Sequence, residues 1–292
     1  MPPARIQLLF VDGLGLPPEP IAASVYGPFP ALSRLLSPAC CVPLDASLGV
    51  PGTPQSATGQ TALFTGVNAA RLLGRHCEGF PSPDLRALIE SGNLFSRLQA
   101  GGRRCAFANA YVRQQGAELP ATHRSVTTVM TLHALRGTRD RHELLAGRAV
   151  YHDIVRDTLP VLGVHDIPCV PAAAAALDLL RVLRSVDVCL FEFFLTDHAA
   201  HRGTEAERAR ILGLLDRFLA AFMDALDPAS ELLLLFSDHG NIEVPGARTH
   251  SRNPVPWSAY GCAAAEARRS MASLLDVTPR VLALAGLPPD HE

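Results

Sequence analysis

The chain has little that would tie it to a membrane, a nucleic acid or an oxidising compartment. Although 48% of its 292 residues are hydrophobic, no apolar run approaches the roughly 20 residues of a spanning helix. The start, Met1-Pro2-Pro3-Ala4-Arg5, runs straight into an apolar strand-like segment. It lacks the charged, apolar and cleavage regions of a signal peptide. With 26 Lys+Arg against 28 Asp+Glu, there is neither the basic excess of a nucleic-acid binder nor a basic block for an anionic membrane. The seven cysteines, at 40, 41, 77, 105, 169, 189 and 262, are odd in number and show no C-x-x-C spacing. They lie mostly in apolar surroundings and read as reduced, buried thiols; Cys77, beside His76, is the one to check for chemistry. No internal repeat or low-complexity linker stands out. These absences predict a cytoplasmic protein with no nucleic-acid and no membrane partner, and they leave the oligomeric state open.

What is present is an alternation of strand-like runs with helical patterns. Strands are predicted at 5–11, 103–109, 186–194, 231–237 and 256–262, and helices near 30–37, 57–66, 93–100, 171–184, 204–226 and 270–285. Such alternation predicts an α/β fold with a mostly parallel sheet covered by helices on both faces. The clearest helix is 204–226, where Ile211, Leu214, Leu215, Phe218, Leu219, Phe222 and Leu226 share one face at helical spacing, with Glu205, Glu207, Arg208 and Arg217 elsewhere. Residues 111–168 break the pattern and are taken as a small inserted cap over a core of 1–110 and 169–292; the alternative is irregular core.

Four separated stretches carry chemistry, each placed where an apolar run ends, which is where open α/β sheets put their sites. Asp12 follows Ile6–Val11 and precedes Gly13, a turn that brings a carboxylate close to a metal or is only a turn. Ser56 opens a helical run, as a nucleophile favoured by the helix dipole or as a simple N-cap. Asp197 and His201, at i and i+4, share a helical face and can clamp one ion, with His198 a quarter-turn away. Asp238 and His239 end the strongest strand, where such groups are costly unless paired or coordinated, and His250 follows in a proline-stiffened loop. Together they supply ligands for two metal ions around a hydroxyl.

In this order Asp12, S-A-T-G, D-x-x-x-H, S-D-H-G-N and H-S-x-N-P-V-P resemble the alkaline phosphatase superfamily. The spacing is most similar to the metalloenzyme branch with cofactor-independent phosphoglycerate mutase and phosphopentomutase, and 275–288 is similar to the superfamily's closing helix. The resemblance implies an alkaline phosphatase-like fold. It assigns Asp197, His201 and His250 to one metal and Asp12, Asp238 and His239 to the other, with Ser56 bridging toward both and attacking phosphorus. Carboxylate and imidazole ligands without thiolates fit two divalent ions, Zn or Mn. Gln60 stands where the mutase branch has a histidine, and the mutases' large insertion is missing. Ser56-Ala57-Thr58-Gly59 also lacks the C/S-x-P-x-R motif of sulfatases.

The expectation is therefore a dimetal phosphate-ester hydrolase or phosphoryl transferase acting through a phosphoseryl intermediate on a small phosphorylated metabolite. A phosphomutase on a sugar or acid phosphate and a non-catalytic metal-binding regulatory protein are the alternatives. Asn68, Arg71, Arg75, His76 and Arg113 are candidate substrate-side groups, the arginines because their planar forks match phosphate oxygens.

Overall fold

The computed structural model describes residues 3–288. Its strands are β1 (Arg5–Val11), β2 (Cys41–Leu44), β3 (Cys105–Phe107), β4 (Val188–Phe193), β5 (Glu231–Phe236) and β6 (Val255–Gly261). The helices are α1 (Pro30–Leu36), α2 (Ser56–Thr65), α3 (Ala69–Leu73), α4 (Pro83–Ser91), α5 (Leu94–Ala100), α6 (Val126–Leu135), α7 (Arg141–Leu145), α8 (Ala172–Leu183), α9 (Leu195–Arg202), α10 (Glu205–Ala225), α11 (Ala264–Ala267) and α12 (Val277–Leu284). The six strands form one sheet in the order β2-β6-β5-β1-β4-β3. β5, β1, β4 and β3 run parallel, and β6 is antiparallel to both β5 and β2. The sheet is thus the mostly parallel one that the alternation implied.

The side-chain alternation of a strand decides which face of the sheet builds the site. Leu9, Val11, Phe191, Phe193, Leu233 and Leu235 pack with residues of α1, α8 and α10. Ile6, Leu8, Phe10, Val188, Leu190, Leu232, Leu234 and Phe236 pack on the other face with α2, α5, α6 and α12. Continued past the last strand residue, the same parity aims Asp12 and Asp238 toward the α2 side. Just below them Phe10 and Phe236 stack at 5.9 Å and Phe64 of α2 closes on both rings.

Several expectations change. Residues 126–135 do not belong to a cap, because Val126, Val129 and Met130 of α6 are buried in the core on the α2 face. The rest of the 111–168 segment has its own small cluster, with Leu144, Ala149, Tyr151, Leu159 and Ile167 around Ala110. The last helix begins at Val277 after a 3-10 turn over Leu274–Asp276, so 270–273 are not helical. Arg208 does not lie on a solvated helix face; it is buried and donates to the carbonyls of Val244, Ala200 and Ala247. All seven cysteines are free, but only Cys41 and Cys189 are buried and Cys169 is exposed. Among the described residues no helix is long and apolar enough to cross a membrane.

Candidate active site

Three loops at the carboxyl ends of β1, β4 and β5 are laced to one another. The Thr196 hydroxyl donates to the Asp12 carbonyl at 2.6 Å, and the Ser237 hydroxyl accepts from Leu14 N–H while donating to the His239 carbonyl. Gly13 has φ +70°, and a Cβ there would stand 2.8 Å from the Asp197 Cβ. Glycine therefore serves both the left-handed turn and the close approach of α9.

Ser56 is the first residue of α2. The capping position is Gln55, whose side chain makes no capping bond, so the Ser56 hydroxyl is not spent on the helix. Its Oγ lies 3.0 Å from His239 Nε2. One turn later the buried Gln60 amide donates to Asp12 Oδ2 at 3.3 Å and to Asp238 Oδ2 at 3.1 Å, which fixes two carboxylates that would otherwise repel.

Two sets of ligand-type atoms result. His239 Nε2 is 3.2 Å from Asp12 Oδ1 and 3.5 Å from Asp238 Oδ2. In the second set, Nε2 of His201 and of His250 lie 2.9 Å apart and 3.3 and 3.5 Å from Asp197 Oδ1. The rings of His239 and His250 stack at 3.7 Å between the two sets.

These residues fit divalent ions on three counts. Two donors bound tetrahedrally at about 2.0–2.2 Å sit roughly 3.3–3.6 Å apart, close to the spacings found. The Nδ1 atoms of His201 and His250 face the carbonyls of Arg248 (2.7 Å) and Pro54 (2.9 Å). A carbonyl only accepts, so each Nδ1 carries a hydrogen and both Nε2 atoms are turned toward the Asp197 carboxylate, an arrangement that a cation between them would satisfy. Asp12 Oδ1 is buried without a hydrogen bond, 3.2 Å from His239 Nε2. Donor atoms of Asp12, Asp238 and His239, and of Asp197, His239 and His250, lie within 4.8 Å of one another.

The electrostatics of the site record the same crowding. Burial and then repulsion from Asp238 hold the Asp12 carboxyl well above its usual range. Burial opposes a charge on His239, but Asp238, Asp12 and Asp197 together outweigh it and lift the imidazole to about 10. Burial also opposes ionisation of Asp197, yet its contacts with His250, His239, Asn241 and His201 bring it down to about 2.

Part of the site opens onto a cavity of about 1050 Å³, whose lining does not include Asp238, His239 or His250. Of the sequence candidates, Asp12, Ser56, Asp197, His201 and Arg113 line it, as do Gln60 and His198. Asn68, Arg71, Arg75 and His76 do not line it. Asn68 caps α3 by accepting from Arg71 N–H and donates to the Leu48 carbonyl, while His76 faces the Val50 carbonyl.

Sequence reasoning missed three residues. Glu192 is buried in β4 and lines the cavity, and its carboxyl accepts from Thr127 at 2.5 Å. Burial pushes it up to about 7. A lone carboxylate inside Val188–Phe193 was the available signal. Asn241 donates to Asp197 Oδ1 at 2.8 Å. Glu243, also buried, accepts from Asn241 N–H, Asn253 Nδ2 and the Ser251 hydroxyl and so ties the loop of His250 to that of His239.

Residues 168–289 match the family model of the Metalloenzyme superfamily. A 2,3-bisphosphoglycerate-independent phosphoglycerate mutase from a Synechococcus species is 28% identical over 123 residues, 37% of this chain and 23% of that protein. The match thus spans about a quarter of the relative's length. Among solved structures, the PH0037 protein from Pyrococcus horikoshii superposes with TM-score 0.60 at 15% identity, over 100% of this chain and 99% of the other. Alkaline phosphatase from the Antarctic bacterium TAB5 gives TM-score 0.59 at 11% identity, over 98% of each. At these identities the structural likenesses speak for the fold.

Proposed function

We propose that the chain, whose residues 168–289 match the Metalloenzyme superfamily model, belongs to the metalloenzyme branch of the alkaline phosphatase superfamily and is a dimetal-dependent phosphate-ester hydrolase or phosphoryl transferase acting on a small phosphorylated metabolite. The observation that carries this reading is the Ser56 hydroxyl, free of any capping duty at the start of a ten-residue helix and 3.0 Å from His239 Nε2, on the cavity lining beside two sets of metal-ligand atoms.

Asp197, His201 and His250 would hold one divalent ion, and Asp12, Asp238 and His239 the other, with Ser56 reaching toward both. Such a pair of ions, Zn or Mn, lowers the pKa of a nucleophilic hydroxyl and screens the charge of a phosphoryl group. The chain's own residues do the rest. Ser56 Oγ forms the new bond to phosphorus as the ester oxygen leaves, giving a phosphoseryl enzyme. In the first turn of α2, Thr58 N–H is committed to the Cys77 carbonyl, so the N–H groups of Ser56 and Ala57 are the ones that would face the incoming anion. Gln60 holds Asp12 and Asp238 in place, and Asn241 does the same for Asp197. Water, or a second hydroxyl of the substrate, then takes the phosphoryl group from Ser56. We assign the cap to residues 111–125 and 136–168, which supply Tyr111, Arg113, Tyr151 and His152 to the cavity. The seven free cysteines are consistent with a reducing, cytoplasmic setting.

A phosphomutase is the second reading, favoured by the names of the partial relatives; Gln60 in place of a histidine weighs against it. Metal analysis followed by a phosphate-ester panel on Zn- or Mn-loaded protein tests the proposal, with products assayed for released phosphate and for isomerised ester. Ser56→Ala should lower turnover by more than about a thousandfold. A variant as fast as the parent would remove Ser56 as the nucleophile. Stoichiometric metal without turnover on any ester would instead leave a non-catalytic metal-binding protein.

A further inference from the structure

We propose that the cavity selects phosphate esters whose leaving group carries a planar aromatic ring, with Phe194, His152 and Tyr151 as the wall that receives it. This rests on the phosphoryl-transfer reading for the ester end of the molecule. At about 1050 Å³ the cavity reaches the upper end of the roughly 300–1,000 Å³ that holds drug-sized ligands, far more than a three-carbon acid fills.

Its lining is aromatic where the leaving group would lie. Phe194 and Phe80 line it while 37% and 50% exposed, and among the described residues they are the aromatic members of the exposed large hydrophobics. The cost of leaving such faces in water is recovered when a ring covers them. The imidazole of His152 stacks on Phe194 at 4.9 Å and 18°, and the largely buried Tyr151 ring meets it at 4.2 Å, so the His152 ring touches both of the others and all three residues line the cavity. Burial holds His152 down to about 4, which keeps it a neutral ring near pH 7.

Position ties this surface to the reacting centre. Phe194 precedes Asp197 by three residues, at the entry to α9. Phe194, His198 and Arg202, four residues apart, share one helical face and all line the cavity. Arg113 and Arg202 are the cationic Lys or Arg side chains of the lining; both are exposed and suit a further anionic group at the outer edge.

The test is calorimetric binding of two non-hydrolysable probes to the metal-loaded full chain, benzylphosphonate and cyclohexylmethylphosphonate, which share the phosphonate and the carbon count. Benzylphosphonate should bind about three- to tenfold more tightly, and Phe194→Leu and His152→Leu should each reduce that margin. Equal or reversed affinities in the parent overturn the proposal, as does 3-phosphoglycerate competing more than tenfold better than benzylphosphonate. Phosphate release from benzyl phosphate separates the two readings. Release without an aryl margin keeps the catalytic reading and overturns the ring wall; an aryl margin without release does the opposite.

Discussion

Glu192 shows how one residue can carry a pH dependence that the rest of its strand cannot. It is the single carboxyl among the buried apolar residues of β4, and burial raises it to about 7 from an ordinary value near 4.5, with the Thr127 hydrogen bond opposing the rise and the Asp238 charge adding to it. Because the folded state keeps the proton that the unfolded chain has released, the stabilisation by the neutral carboxyl is complete below about pH 4.5. It is lost as pH rises through about 7. In chelator-treated protein, the stability of the parent relative to Glu192→Gln should therefore fall by on the order of 1–3 kcal/mol between pH 4.5 and 7.5. Urea midpoints across that range measure it, and parallel curves for the two proteins would refute the assignment. Two glycines owe their identity to another carboxyl. A Cβ at Gly15 or at Gly240 would collide with the side chain of Glu243, so glycine follows from close approach rather than from an unusual φ at either position.

At the scale of elements, the loop between β5 and β6 brings His239 and His250 together, and two buried side chains hold it. Glu243 gathers Asn241, Ser251 and Asn253, and Arg208 of α10 gathers Val244 and Ala247 with Ala200 of α9. Glu243→Ala leaves one buried donor, the Asn241 N–H, and two part-buried ones without an acceptor, at up to about 1–3 kcal/mol for the buried one and less for the others. The expected result is a loss of about 2–4 kcal/mol of stability and a 10- to 100-fold weaker metal affinity, read by melting and by metal titration. Unchanged affinity would mean that His250 is positioned without this tie. Asp12 and the Asp238-His239 pair were legible in the sequence because each ends an apolar run, and His201 by its i+4 spacing from Asp197, whereas His250 drew its weight from the company of the others. Glu243 and Arg208 were not, because their partners lie two to 39 residues away with no local period. A buried arginine on an amphipathic helix also reads as a solvated one until the carbonyls around it are seen.

At the scale of the molecule, alternation was enough to foresee a mostly parallel sheet, whereas short α3, β2 and the membership of α6 in the core depend on long-range packing. The same long-range character sets how the fold should respond to metal. The ligand-type atoms come from the ends of β1 and β5, the start of α2, α9 and the loop before β6, regions that lie up to 238 residues apart from Asp12 to His250. In the unfolded chain these atoms are dispersed, so an ion binds the native state almost alone and stabilises it by about 2.7 kcal/mol at a concentration 100 times its dissociation constant. For a chain of this size that corresponds to a rise in melting temperature of about 4–5 °C. Asp197→Asn should remove part of the rise by disabling one set, and Asp12→Asn part of it by disabling the other, so the double variant should melt at the same temperature with Zn or Mn as with chelator. Calorimetric melting of the four proteins, each with Zn, with Mn and with chelator, decides the matter. A parent protein whose melting temperature is indifferent to both metals would show that the converging lone pairs of His201 and His250 are satisfied by a proton and that the site holds no ion.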